Sequence, residues 1–233
     1  MKTFTIFSFK PYSQIKPIEN AFLKEFEKND ENPDFVVVVG GDGTLLQAEK
    51  EYPGIPKLCI RKNAKRYEFH NEKDIEKIIC KVKEKDFKIK VVEKLCVELN
   101  EKIKDLAMND IYIHHSPQKA IRFSFRCVDK KYSLEIKELI GDGLIVSTAH
   151  GSKAYFFSIT GFSFENSFGF SFNNIHKAKI LPLLLSKEFY IWVKLIRENG
   201  HLICDNRVVA RIKKGDEIKI KPTNKKAKII IVV

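Results

Sequence analysis

Two short segments of this chain set an aspartate between glycines, Gly40-Gly41-Asp42-Gly43-Thr44 and Gly141-Asp142-Gly143. The first follows the apolar run Phe35 to Val39 and opens a helical stretch near Leu45 to Glu51. Its three glycines admit positive φ and bring the backbone within contact distance of a ligand, while the N–H groups at the start of the helix can meet phosphate oxygens. A carboxylate beside a phosphate is repelled unless it binds Mg²⁺ or accepts a proton from a nucleophile. Asp42 is therefore the candidate catalytic residue, and Gly40, Gly41, Gly43 and Thr44 form the candidate phosphate loop. The segment is neither a P-loop, which needs Gly-Lys-Ser/Thr, nor the Gly-x-Gly-x-x-Gly dinucleotide fingerprint. The alternative is a tight βα turn in which Thr44 caps the helix.

Other chemically capable residues form weaker patterns. His114 and His115 are adjacent, so on a strand they are expected to face opposite ways and not to share a ligand. His70, His176 and His201 are isolated and read as structural or solvated. The five cysteines, Cys59, Cys80, Cys96, Cys127 and Cys204, are widely spaced with no Cys-x-x-Cys pair. They read as buried thiols of a reducing compartment, with no zinc site or disulfide framework.

The elements that must position these residues follow from hydrophobic spacing. Residues 3 to 9 alternate as a strand, and Ile15, Ile18, Phe22, Leu23 and Phe26 recur at helical spacing through Lys28. Phe35 to Val39 is apolar on both faces, as an inner parallel strand is. A strand at Pro56 to Arg61 and a helix from about Glu72 to Lys85, with Ile75, Ile78, Ile79 and Val82 on one face, complete an α/β unit. From Ile89 onward β-rich runs dominate: 89 to 99, 110 to 115, 120 to 128, 131 to 140, 188 to 196, 200 to 211 and 216 to 233. Glu198-Asn199-Gly200 and Cys204-Asp205-Asn206-Arg207 have the residues of hairpin turns. The expected domains are 1–90, α/β, and 91–233, mostly β, with a helical interruption near Ser152 to Ser158.

With 233 residues, 44% hydrophobic and 31% charged, the chain can bury a core, and intrinsic disorder does not fit. Its apolar runs fall far short of the ~20 residues of a membrane span, and its first residues lack a signal-peptide pattern, so a cytoplasmic location is expected. The net charge of +12 suits an anionic partner. The lysines alternate with Glu as solvated faces do, without the aromatic-flanked basic clusters of nucleic-acid binders. Phe156, Phe157, Phe162, Phe164, Phe168, Phe170 and Phe172 are expected to lie in the core or in a homo-oligomer contact, a lipid-facing patch being the rival.

Three blocks of residues resemble the NAD kinase family. GGDGT at 40–44 is common to NAD kinases, diacylglycerol and sphingosine kinases and their phosphofructokinase relatives. Gly141 to Tyr155, GDGLIVSTAHGSKAY, is similar to the NAD kinase signature DGLIVSTPTGSTAY, and Asn109-Asp110 stands where that family has Asn-Glu. Cys204-Asp205-Asn206 through Lys213-Lys214-Gly215-Asp216 resembles the family's late Asp-Gly hairpin and Gly-Asp turn. The resemblance, over residues 35 to 221, implies an α/β N-terminal domain, a mostly-β C-terminal domain and a nucleotide cleft between them. It implies Mg²⁺-dependent phosphorylation of the adenosine 2′-hydroxyl of NAD by ATP or polyphosphate, with Asp42 as general base. It also implies that Asn109, Asp110, Asp142, His150, Lys153, Ala154 and Tyr155 hold NAD.

The chain departs from the family where Gly-Ile-Asn-x-Gly-x-x-Gly-Phe-Leu becomes Cys59-Ile60-Arg61-Lys62-Asn63-Ala64-Lys65-Arg66-Tyr67-Glu68-Phe69. Arg61, Lys62, Lys65 and Arg66 can clamp a polyanionic donor by charge, or the stretch is an altered surface loop. Two rival functions remain at this point: the same fold with a lipid or other hydroxyl acceptor, and a non-catalytic nucleotide-binding relative.

Overall fold

The computed structural model describes residues 1–116, 119–130, 132–177 and 180–232. In chain order the elements are β1 (Thr3–Phe7), α1 (Tyr12–Phe22), β2 (Glu27–Lys28), β3 (Phe35–Val39), α2 (Asp42–Glu51), β4 (Lys57–Arg61), β5 (Phe69–Asn71) and α3 (Ile75–Lys83). There follow β6 (Lys88–Leu99), β7 (Lys102–Ala107), β8 (Asp110–His115), β9 (Ile121–Asp129), β10 (Tyr132–Gly141) and β11 (Gly143–Thr148). The last are α4 (Tyr155–Thr160), β12 (Phe168–Asn173), β13 (Leu183–Leu185), β14 (Tyr190–Arg197), β15 (Gly200–Cys204), β16 (Arg207–Ile212) and β17 (Glu217–Ile231). Lys131 and Val233, which the sequence assigns to strands, lie outside the described residues. No helix among the described residues is long and apolar enough to cross a membrane.

The chain divides into two compact units, Met1–Val92 with Lys226–Val233, and Glu93–Lys225. The first is an α/β layer whose strands pair in parallel, β4 beside β3, β3 beside β1 and β1 beside β2. All five residues of β3 are fully buried, which is why a run of four valines after Phe35 is stable only as an inner strand. Phe35, Val37 and Val39 share a core with Ile18 and Phe22 of α1 and Ile78, Ile79 and Val82 of α3. Leu45 and Ala48 of α2 are buried as well. Below α2 the Lys57 ammonium, itself fully buried, pairs with the buried carboxylate of Glu49 and donates to the Tyr52 carbonyl at 2.5 Å. The first helix is shorter than its apolar spacing suggests: it stops at Phe22, and Glu27–Lys28 pair with β1 as β2.

The domain division expected from sequence leaves every residue after 90 in the second unit, but the last residues belong to the first. Ile229 pairs in parallel with Lys57 of β4, and Ile230 is fully buried in the α/β core.

The second unit is a sandwich of sheets. One carries β10, β9, β14 and β17 in that order; the other runs β13-β12-β11-β8-β15-β16 and is antiparallel throughout. Their inner faces meet in one core in which Phe125 packs against Phe170 and Phe172, with ring centroids 5.1 and 4.8 Å apart. Phe156, Phe164, Phe168, Phe170 and Phe172 are therefore core residues that need no second subunit to cover them, while Phe157 and Phe162 are exposed. Cys80 is exposed, unlike the other four cysteines, and all five are free.

Turn chemistry is mixed. Asp205 and Asn206, with φ of 47° and 62°, make a two-residue hairpin between β15 and β16, as positive φ at both central positions requires. Glu198-Asn199-Gly200 makes no hairpin: β14 and β15 lie in different sheets, and the turn carries the chain from one to the other.

Candidate active site

The candidate phosphate loop lies in the first unit, where β3 ends and α2 begins. Gly41 is the N-cap and Asp42 the first helical residue, so the carboxylate stands at the turn whose N–H groups lack intrahelical acceptors. None of Gly40, Gly41 and Gly43 has positive φ, which corrects the expectation that the glycines serve an unusual backbone. Gly40 is needed for packing: a Cβ there would lie 2.2 Å from Thr44 Oγ1. Thr44 is buried inside the helix and does not cap it. A Cβ at Gly41 or Gly43 would meet nothing within 4 Å among the described residues, so both leave open space beside the loop backbone.

Asp42 is part-exposed and accepts from Arg66 Nη1 at 2.5 Å. Arg66 also meets the buried Glu68 carboxylate through Nε at 3.3 Å and Nη2 at 3.4 Å, and Lys90 Nζ donates to Glu68 at 2.8 Å. Burial alone would raise the Glu68 carboxyl, but hydrogen bonds from Lys90 and Arg66 outweigh it and draw it down to about 2. Of the four basic residues expected at a donor, Arg66 is thus brought onto Asp42. Arg61, at the end of β4, and Lys62 and Lys65 on the loop that follows stay exposed.

The second set lies in the second unit, at one end of the paired strands β8 and β11. Ser147 of β11 lies opposite Asp110 of β8, and beyond that pair Thr148 N–H donates to the Asn109 carbonyl at 2.9 Å. Thr148 Oγ1 donates to Met108 O at 2.7 Å and accepts from Gly151 N–H at 3.1 Å, folding the 148–151 turn onto Asn109. A Cβ on Gly151 would stand 2.2 Å from the Asn109 carbonyl oxygen, so only glycine fits. Ser152, fully buried, donates to the carbonyls of Ala149 and Phe164 and secures the following turn. His150 is buried in this turn. Tyr155 begins α4 with its ring 4.9 Å from that of Tyr112. Lys153 and Ala154 are exposed, and the Lys153 ammonium lies 3.9 Å from Glu165.

Sequence reasoning missed the residue that holds this end together. The Asp205 carboxylate accepts N–H groups of Met108, Asn109 and Asp110 at 2.8, 2.7 and 3.2 Å, so the hairpin turn fixes the 108–110 backbone. The visible signal was an acidic residue in a two-residue turn, which ordinary turn preference explains equally well. Asp110 is 3% exposed, and burial, with the Asp205 charge beside it, pushes its carboxyl up to about 7. Asn109 Oδ1 is buried with no hydrogen-bond partner among the described residues, an acceptor left for something else.

Asp142 is not brought to this end. It precedes β11, about 16 Å along the strand from Ser147 at ordinary strand rise, and Gly143 after it has φ 140° with a Cβ position 1.8 Å from the Ile113 carbonyl oxygen. It accepts from Asn174 Nδ2 at 3.0 Å, faces His115 Nε2 at 3.7 Å and lines a cavity of about 370 Å³ with Asn174 and His176. Tyr155 senses both ends: burial first, then the Asp110 and Asp142 carboxylates, raise its hydroxyl. The rings of His114 and His115, expected on opposite faces, instead stack with centroids 4.5 Å apart. Both remain paired within β8, and each Nδ1 turns toward the backbone carbonyl of the next residue. Among the described residues no group of three His, Cys, Asp or Glu is placed to hold a metal ion.

Residues 108–232 match the ATP-NAD kinase C-terminal domain. The chain is 27% identical over 238 residues to an NAD kinase of Saccharolobus islandicus, covering 95% of this chain and 90% of that one. It is 29% identical over 231 residues to a bifunctional NADP phosphatase/NAD kinase of Methanococcus maripaludis, covering 92% of this chain but spanning only 40% of that protein's length. Its fold matches that of yeast NADH kinase complexed with NADH, with a TM-score of 0.85 at 16% identity, over 100% of this chain and 84% of the other. A domain match through more than half of the residues, over the strands that carry the second Gly-Asp loop, makes the chain a member of the NAD kinase family of phosphotransferases.

Proposed function

We propose that this chain transfers a terminal phosphoryl group from ATP or polyphosphate to the adenosine 2′-hydroxyl of NAD, giving NADP, with Asp42 as the general base. The observation that carries the reading is Asp42 itself: a part-exposed carboxylate on the opening turn of α2, between two glycines whose Cβ directions are open. In the step, the 2′-oxygen forms a bond to phosphorus as the bond to the leaving phosphate oxygen breaks. The hydroxyl proton passes to Asp42. The N–H groups of the loop bind the donor phosphates.

NAD would lie along the second unit's strip from Asp110 to Asp142. Asn109 Oδ1 and the Asp110 carboxylate would accept from its polar groups, and Tyr155 with Tyr112 would offer ring faces. A Mg²⁺ would enter with the donor phosphates, so that Asp42 stays the proton acceptor. That ion supplies charge neutralisation on the phosphates. Five free thiols, four of them buried, accord with our placing the reaction in the cytoplasm.

The test is incubation with NAD, Mg²⁺ and either donor, following NADP. Asp42→Asn is expected to lower kcat by ~10²-fold or more. No NADP with either donor overturns the reading; undiminished turnover in Asp42→Asn keeps the reaction and removes the base.

A further inference from the structure

Arg66 is shared between two carboxylates that differ in how firmly they are held. Glu68 is 4% exposed and takes hydrogen bonds from both Arg66 and Lys90, and the Lys90 ammonium also lies 4.8 Å over the Tyr67 ring. It is a fixed anchor, because removing its partners would strand a buried charge. The Asp42 side chain is 44% exposed, so water screens its pairing with Arg66. The guanidinium is thus pinned at one edge by Glu68 and presents Nη1 to a partner that can be exchanged. The competitor best matched to an arginine fork is a phosphate oxygen pair, and Arg66 stands beside the loop built for phosphate. A base whose oxygen is occupied by a guanidinium is also a hindered proton acceptor.

We propose that Arg66 is an exchangeable clamp: anchored by Glu68, it holds Asp42 until donor phosphates arrive, then transfers Nη1 to them and leaves the carboxylate open to the hydroxyl. This rests on Asp42 being the base, as proposed above. It gives the basic 61–66 segment a definite task, since binding the donor and releasing the base become one event.

The test is a double-mutant cycle on the full chain, titrating inorganic tripolyphosphate in EDTA so that no metal bridges the anion to Asp42. Asp42→Asn is expected to bind about 5- to 10-fold more tightly, because Arg66 no longer has to leave a carboxylate. Arg66→Ala should bind at least ~10-fold more weakly than wild type. The Asp42→Asn gain should vanish in the double variant. A gain that survives intact without Arg66 is carboxylate–phosphate repulsion and overturns the clamp, as does wild-type affinity in Arg66→Ala or no binding by wild type. Arg66→Lys, which keeps the charge and loses the fork, should fall between wild type and Arg66→Ala and guards against a folding defect. In turnover, Arg66→Ala should raise KM for the donor and leave KM for NAD unchanged. NADP formation that is lost in Asp42→Asn while the cycle is additive discards the clamp and keeps the base.

Discussion

Asp110 illustrates how a single buried carboxyl can tie affinity and stability to pH. In the unfolded chain it ionises near its ordinary value of 3.8, while in the fold it holds its proton until about 7. Between those values the native state binds the extra proton, so stability falls as pH rises from 4 to 7 and levels off above. Asp110→Asn is therefore expected to stabilise the protein at pH 8 by about 2–4 kcal/mol, with the gain disappearing near pH 4, as urea denaturation at the two pH values will read. If Asp110 accepts from NAD, wild-type affinity for NAD should tighten as pH rises from 6 to 8, and Asp110→Asn should flatten that slope. Glu68 has the opposite sign: its low folded value adds stability above its ordinary 4.5 that is lost as pH falls toward 2. Asp42 was legible in the sequence because its neighbours in the chain, glycines after an apolar run, already define its surroundings. Arg66 was legible as a cation suited to a donor but its pairing with Asp42, 24 positions away, was not, nor was Asp205, whose partners lie about a hundred positions away and which tertiary pairing alone makes more than a turn residue.

Glycines sort the elements into those where a side chain would clash and those where it would meet open space. Gly151→Ala drives a methyl into the Asn109 carbonyl, a backbone atom that cannot swing aside. It is expected to cost about 1–3 kcal/mol and to weaken NAD binding together with thermal stability. Gly41→Ala meets open space. It should shift stability by less than about 0.5 kcal/mol while raising KM for the donor, a split visible in paired thermal-melt and kinetic measurements. β3 and the apolar face of α3 were readable because alternation and helical spacing are local signals. Where an element ends depended on partners the periodicity does not record. α1 stops at Phe22 because Glu27–Lys28 pair with β1, and the Glu198–Gly200 turn changes sheets because β15 pairs with β8 instead of β14.

At the scale of the whole chain, the units differ in how they are stitched. The second is drawn from one continuous stretch, Glu93–Lys225, whereas the first needs residues from both ends of the sequence. Ile230 is fully buried among Phe4, Val37 and Ile60, so Ile230→Ala is expected to cost about 2–5 kcal/mol by urea denaturation, a core-sized loss from a residue near the end of the chain. The +12 charge should make nucleotide capture sensitive to salt, with KM for NAD and donor rising as ionic strength rises. The late arrival of Ile229 and Ile230 beside β4 also has a consequence during synthesis. While the chain is still emerging from the ribosome, β4 has β3 and, along Cys59 to Arg61, β5 beside it, but Lys57 lacks its Ile229 partner. The mostly-β unit, Glu93–Lys225, is already made by then, and the pairing of Ile229 with Lys57 and the burial of Ile230 join the α/β unit afterwards.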